Sequence, residues 1–155
     1  MQALHGSGRP HEHVQAHVDV ARAYVGEAAL ASAEAHLERA LACCAAIPGV
    51  DGHVDLRCEL AELAALSAES DERAARGQGR AARGRARGHA SAAAALAAQV
   101  SDPSWEIRVL LRISDVFDRC GNHDEAAELQ TRAMRLIAHE FDLALLSITR
   151  LAAAA

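Results

Sequence analysis

An all-α protein is the fold class this sequence predicts, on three observations. Alanine makes up about a quarter of the 155 residues, and aromatic residues only 3%. Strands draw on aromatic and β-branched side chains, whereas alanine, leucine, glutamate and arginine favour helix. Apolar residues recur three and four apart along most of the chain, which is the period of a helix face, and only three prolines interrupt them. A chain of this length suits one domain with its own core, without disulfides or metals to hold it.

The elements follow in order. Residues 1–10 hold Gly6, Gly8 and Pro10 and are expected to fray, leaving one helical domain over 11–155. A first helix starts near His11, with Val14, Val18, Ala21 and Val25 on one face. After a break at Gly26–Ala29, a second carries Ala33, Leu37, Ala40, Cys44 and Ile47, and Pro48-Gly49 stops it. A third fits about 53–69, with Leu56, Leu60, Leu63 and Ala64 as its stripe.

Residues 70–88 differ in character: arginine and glycine dominate, and the unit Arg-Ala-Ala-Arg-Gly occurs twice, seven residues apart. Gly77, Gly79, Gly84 and Gly88 each cost about 1 kcal/mol inside a helix, which favours a mobile basic insertion over the alternative, a helix with Arg73, Arg76, Arg80, Arg83 and Arg87 in one stripe. Helix resumes over about 89–100. Asp102-Pro103 then reads as an N-cap followed by proline in the first turn, opening a helix to Cys120. Its stripe is Ile107, Leu110, Ile113, Val116 and Phe117, and Gly121 ends it. Asn122 with Glu125 resembles a capping box for the next helix, which buries Ala126, Leu129, Ala133 and Leu136 or Ile137. A last segment, Phe141–Ala155, is apolar on more than one face. Phe141, Leu143, Leu145, Leu146, Ile148 and Leu151 there suggest a homodimer through the C-terminal helix. Six or seven helices result, either a closed bundle or a stack of helix pairs.

Composition excludes several chemistries. All sixteen basic residues are arginine, so no Schiff-base lysine, phosphate-loop lysine or kinase-type lysine exists. No apolar run reaches the eighteen residues of a membrane span, and no secretory layout opens the chain. Cys43, Cys44, Cys58 and Cys120 form no Cys-x-x-Cys pair, which suits buried thiols in a reducing cytoplasm. His13 and His17, four apart, would share a helix face, but two imidazoles make only half of a transition-metal site. The acids at 34 and 38, at 55, 59 and 62, and at 115 and 118 read as solvated helix faces, so no enzyme and no cofactor are expected. Charge is uneven. Arg73, Arg76, Arg80, Arg83, Arg85 and Arg87 stand without an acid between residues 73 and 100. They either neutralise the protein's own acidic faces or bind nucleic acid or another anion.

The chain also repeats itself. Leu110-Leu111-Arg112-Ile113-Ser114 aligns with Leu145-Leu146-Ser147-Ile148-Thr149 at an offset of 35 residues. The last helix pair resembles a tetratricopeptide repeat: Leu110, Ile113, Ser114 and Phe117, the turn Gly121–Ala126, then Ala133. Val20, Ala21 and Tyr24, followed by Ala33, Leu37 and Ala40, make the first pair similar to that family too. The resemblance implies a short solenoid of antiparallel hairpins and a cytoplasmic, bacterial adaptor that binds a protein or peptide segment without chemistry. It also implies a groove on the first helices, which would present Gln15, Val18, Arg22, Arg108, Leu111 and Asp115.

Overall fold

A computed structural model describes residues 10–73 and 78–153, with side chains described as far as Ala144. It is all-α: α1 (Pro10–Gly26), α2 (Leu30–Cys44), α3 (Asp51–Arg73), α4 (Gly79–Ala97), α5 (Pro103–Arg119) and α6 (His123–Ala153). No strand occurs among the described residues. Short connections force consecutive helices to run antiparallel, giving the hairpins α1/α2, α3/α4 and α5/α6. These stack in order, α2 on α3 and α4 on α5, with α3 also touching α5. A closed bundle would return the first hairpin to the third. Among the described residues, the backbones of α1 and α2 do not pack against those of α5 or α6.

The two outer hairpins turn in the same way. At the end of α5, the Asn122 N–H donates to the Phe117 carbonyl (2.9 Å) and the Gly121 N–H to that of Asp118 (2.9 Å). This is a Schellman close, with Gly121 at φ +79° in the left-handed region. At the end of α1, Ala29 donates to Tyr24 (2.9 Å) and Ala28 to Val25 (3.0 Å), with Ala28 at φ +56°. Five and twelve residues after each left-handed residue come Ala33 and Ala40, and Ala126 and Ala133, all buried. At the other end of α5, the Asp102 side chain accepts the Trp105 N–H at 3.1 Å and Pro103 fills the first turn, as the sequence predicts.

α3 is the shared wall. Leu56, Leu60 and Leu63 pack into a core with Val18, Ala21, Leu37 and Ala40. Val54, Cys58, Ala61, Ala64 and Ala65, on its other side, join a core built with α4, α5 and α6. Each set follows helical spacing, so one helix serves two cores. The helix opposite, α4, buries only small side chains: Gly79, Ala82, Ala86, Ala90, Ala93 and Ala97.

Two expectations are corrected. Residues 70–73 continue α3 and residues 79–88 form the first half of α4, so that stretch is helix on both sides of 74–77. The alanine stripe explains this, since every buried position at the 82, 86 and 90 spacing lies against α3 or α5 and tertiary packing outweighs the glycine penalty. Phe141–Ala155 is not a separate element either; α6 runs unbroken to Ala153, because no glycine or proline lies between Ile137 and Phe141. Val20, outside the predicted stripe of α1, is 40% exposed, whereas its counterpart Ile113 is 0% exposed; no described element covers that side of α1. The fraying expected of residues 1–9 concerns residues outside those described.

Candidate functional site

The first helices of the three hairpins, α1, α3 and α5, share one face of the stack, and a shallow trough of about 440 Å³ runs across it. Ala21 and Val25 of α1, Leu37 of α2 and Leu63 and Leu66 of α3 give it an apolar floor. Arg22, Glu59, Glu62, Arg112 and Arg119 give it a charged rim. Helical spacing makes this mixture: Leu63 and Leu66 follow Glu59 and Glu62 on adjoining strips of α3.

The rim is cross-linked by charge. Arg22 of α1 donates to Glu59 of α3 at 3.1 Å. Arg112 of α5 grips Glu62 with two bonds, 2.8 and 3.1 Å, and lies 3.7 Å from Asp55. Arg119 donates to Glu69 at 2.7 Å and lies 3.7 Å from Asp115. The Glu62 hydrogen bond raises the Arg112 guanidinium above its ordinary value, the larger influence against partial burial. Pairs this exposed contribute about 0–1 kcal/mol each. Their effect is positional: Arg112 and Arg119 of α5 reach carboxylates fifty residues earlier, which holds α3 and α5 side by side.

Among the residues predicted for a groove, Arg22 lines this trough and Asp115 borders it through Arg119. Val18 is buried in the first core, which removes it from any ligand-facing surface. Gln15, exposed on α1, donates to Asp19 at 2.8 Å. Arg108 and Leu111 are exposed on α5 outside the trough lining. The predicted set contains no residue of α3, because only the first and last pairs carry the repeat resemblance. One signal was available: Glu62 and Glu69 are seven apart, and so are Arg112 and Arg119, at a constant offset of fifty.

The arginine-rich segment is engaged with its own protein. Arg85 donates twice to Glu34 of α2 (2.6 and 3.1 Å), Arg83 pairs with Glu72 and Arg73 with Glu69 (3.6 Å). Arg87 reaches Asn122 at 3.4 Å, Arg80 is exposed, and Arg76 lies outside the described residues. A wider hollow of about 670 Å³ opens beside Arg85, among Ser32, Ser67, Ser70, Asp71 and Gln78, but Glu34 and Asp71 give it carboxylates as well.

The histidine pair divides. His13 is exposed, whereas the His17 ring meets His36 of α2, Nδ1 to Nδ1 at 3.1 Å, with Tyr24 beside His36. Burial, then the charges of His36, Arg39 and His13, lower the His17 pKa. No trio of His, Cys, Asp or Glu among the described residues is grouped as a metal site. All four cysteines are free thiols, and burial pushes Cys58 up to about 12, far from a reactive thiolate. No helix of the described residues is long and apolar enough to cross a membrane. No family model, curated protein or solved structure matches this chain.

Proposed function

We propose that this protein is a non-enzymatic adaptor, a divergent tetratricopeptide-like stack that binds a peptide or protein segment across α1, α3 and α5. The trough carries the reading. Its apolar floor and its rim of mutually neutralised arginines and carboxylates suit a segment that buries one or two apolar side chains and keeps polar flanks. Its lining holds neither hydroxyl, thiol nor imidazole among the described residues, which favours binding over chemistry. Equivalent left-handed turns and buried small residues in the outer hairpins support the repeat reading. The four free thiols suit a reducing compartment such as the cytoplasm. The arginine-rich helix reads as neutralisation of the protein's own acids, since Arg83 and Arg85 already hold carboxylates.

Peptide-display selection against the whole protein tests this. Related sequences with a shared apolar anchor are expected to enrich. Their affinity, followed by fluorescence anisotropy, should fall at least about tenfold in Val25→Glu and Leu66→Glu, a loss of about 1.4 kcal/mol. Circular dichroism and melting should match the parent. Enrichment of unrelated peptides, or equal binding by both folded variants, would refute the trough as the site.

A further inference from the structure

His17 of α1 and His36 of α2 are nineteen residues apart in sequence and meet across the first hairpin. Their Nδ1 atoms lie 3.1 Å from each other, with ring centroids 5.3 Å apart and planes tilted by 48°. Both residues are half-buried. His123, by contrast, turns its Nδ1 to the Asp118 carboxylate at 2.9 Å. The charges that act on His17 are those of His36, Arg39 and His13, with no carboxylate among them.

Helix geometry adds a third imidazole. His13 precedes His17 by one turn of α1, so the two side chains leave the same face, with Cβ atoms about 5–6 Å apart. His13 stands outside the contact, but it is exposed, and another side-chain rotamer turns its ring towards the pair. Burial, reinforced by the neighbouring positive charges, lowers the His17 pKa and keeps that ring neutral at pH 7. A neutral imidazole with a lone pair is the form that ligates metals.

The distance between the rings has two readings. It suits an N–H···N bond. It also suits a shared ion: two nitrogens bound at about 2.0–2.1 Å stand about 2.9 Å apart at a right angle and about 3.3 Å apart at the tetrahedral angle. The observed 3.1 Å falls inside that interval. We propose that His17 and His36 are the fixed half of a site for a divalent transition-metal ion, with His13 turning in as the third ligand and water completing the shell. Both Nδ1 atoms then carry lone pairs, and the ring protons sit on Nε2. Imidazole donors without thiolate suit Zn²⁺, Ni²⁺ or Cu²⁺. Arg39, three residues after His36, opposes the ion, but it is exposed and screened by solvent. The site ties α1 to α2 and is independent of peptide binding in the trough.

Calorimetric titration of the full chain with Ni²⁺, which does not oxidise the free thiols, tests the proposal. One equivalent is expected to bind. His17→Gln and His36→Gln should each weaken it at least about tenfold with parental helix content, whereas His139→Gln on α6 should leave it unchanged. A site spanning two helices exists only in the folded chain, so saturating Ni²⁺ should raise the melting temperature of the parent and not that of His36→Gln. In the parent itself, substoichiometric Ni²⁺ should broaden the ring signals of His17 and His36 in proton spectra before that of His139. Absence of binding, binding unchanged in His36→Gln, an unmoved melting temperature or uniform broadening of all three rings would overturn the proposal. The second and third of those outcomes would mark capture by the histidines at 11 and 13 alone.

Discussion

Ala28 and Gly121 occupy the same place in equivalent turns, and only one of them is suited to it. An L side chain in the left-handed region crowds its own backbone, at about 1 kcal/mol or more, and glycine avoids this. Ala28→Gly is therefore expected to stabilise the protein by about 0.5–1 kcal/mol, and Gly121→Ala to destabilise it by about 1 kcal/mol. Denaturant midpoints of the two variants check the pair. The His17–His36 contact makes a second prediction. One ring must donate and the other accept, so a doubly protonated pair loses the bond and gains repulsion. Because the His17 pKa is lowered on folding, the unfolded chain takes up its proton first, near the ordinary imidazole value of about 6.5. Stability should thus be unaffected by His17 above neutrality and fall as pH drops through 6.5, levelling only below the folded value. His89, lowered by burial and by Arg57, adds in the same direction. Unfolding free energies measured between pH 7 and 5 should show this slope, reduced in His17→Gln.

At the scale of the element, α4 is the informative case. Its glycines argue against helix one by one, yet the helix forms, because Ala82, Ala86, Ala90, Ala93 and Ala97 make a continuous buried stripe. A Cβ added at Gly84 or Gly88 meets nothing within 4 Å, whereas at Gly79 it would meet the Ala68 carbonyl oxygen at 3.1 Å. Gly84→Ala and Gly88→Ala should each stabilise by about 0.5–1 kcal/mol. Gly79→Ala should lose part or all of that gain, since α3 backbone must give way. Thermal melts in which the first two variants are no more stable than the parent would contradict a helix at 79–88.

The whole molecule is an open stack, so its stability is distributed by position. Each hairpin depends on its neighbours, and the ends have one neighbour fewer. α3, which belongs to both cores, should hold the slowest-exchanging amides, and the part of α6 beyond about residue 139 the fastest at low protein concentration. Hydrogen exchange read by mass spectrometry tests that order; uniform protection would mean a single closed unit.

The sequence alone determined most of the elements. Helical period, the Asp102-Pro103 start, the Gly121 stop and the small residues at Ala33, Ala40, Ala126 and Ala133 are local signals, each acting within a turn or two of chain. They were enough to mark three helix pairs and to align the first with the third. Tertiary structure decided what depends on neighbours far along the chain. Residues 79–88 are helical because α3 covers their alanines, which no window of local propensity contains. Val18 is core and Val20 exposed because α2 and α3 cover one side of α1 and no described element covers the other. The trough required α3 to lie between α1 and α5, so that Glu59 met Arg22, and Glu62 and Glu69 met arginines fifty residues away. Charges on a helix face look solvated until the opposing helix is known, because an ion pair belongs to two elements and a sequence pattern describes one.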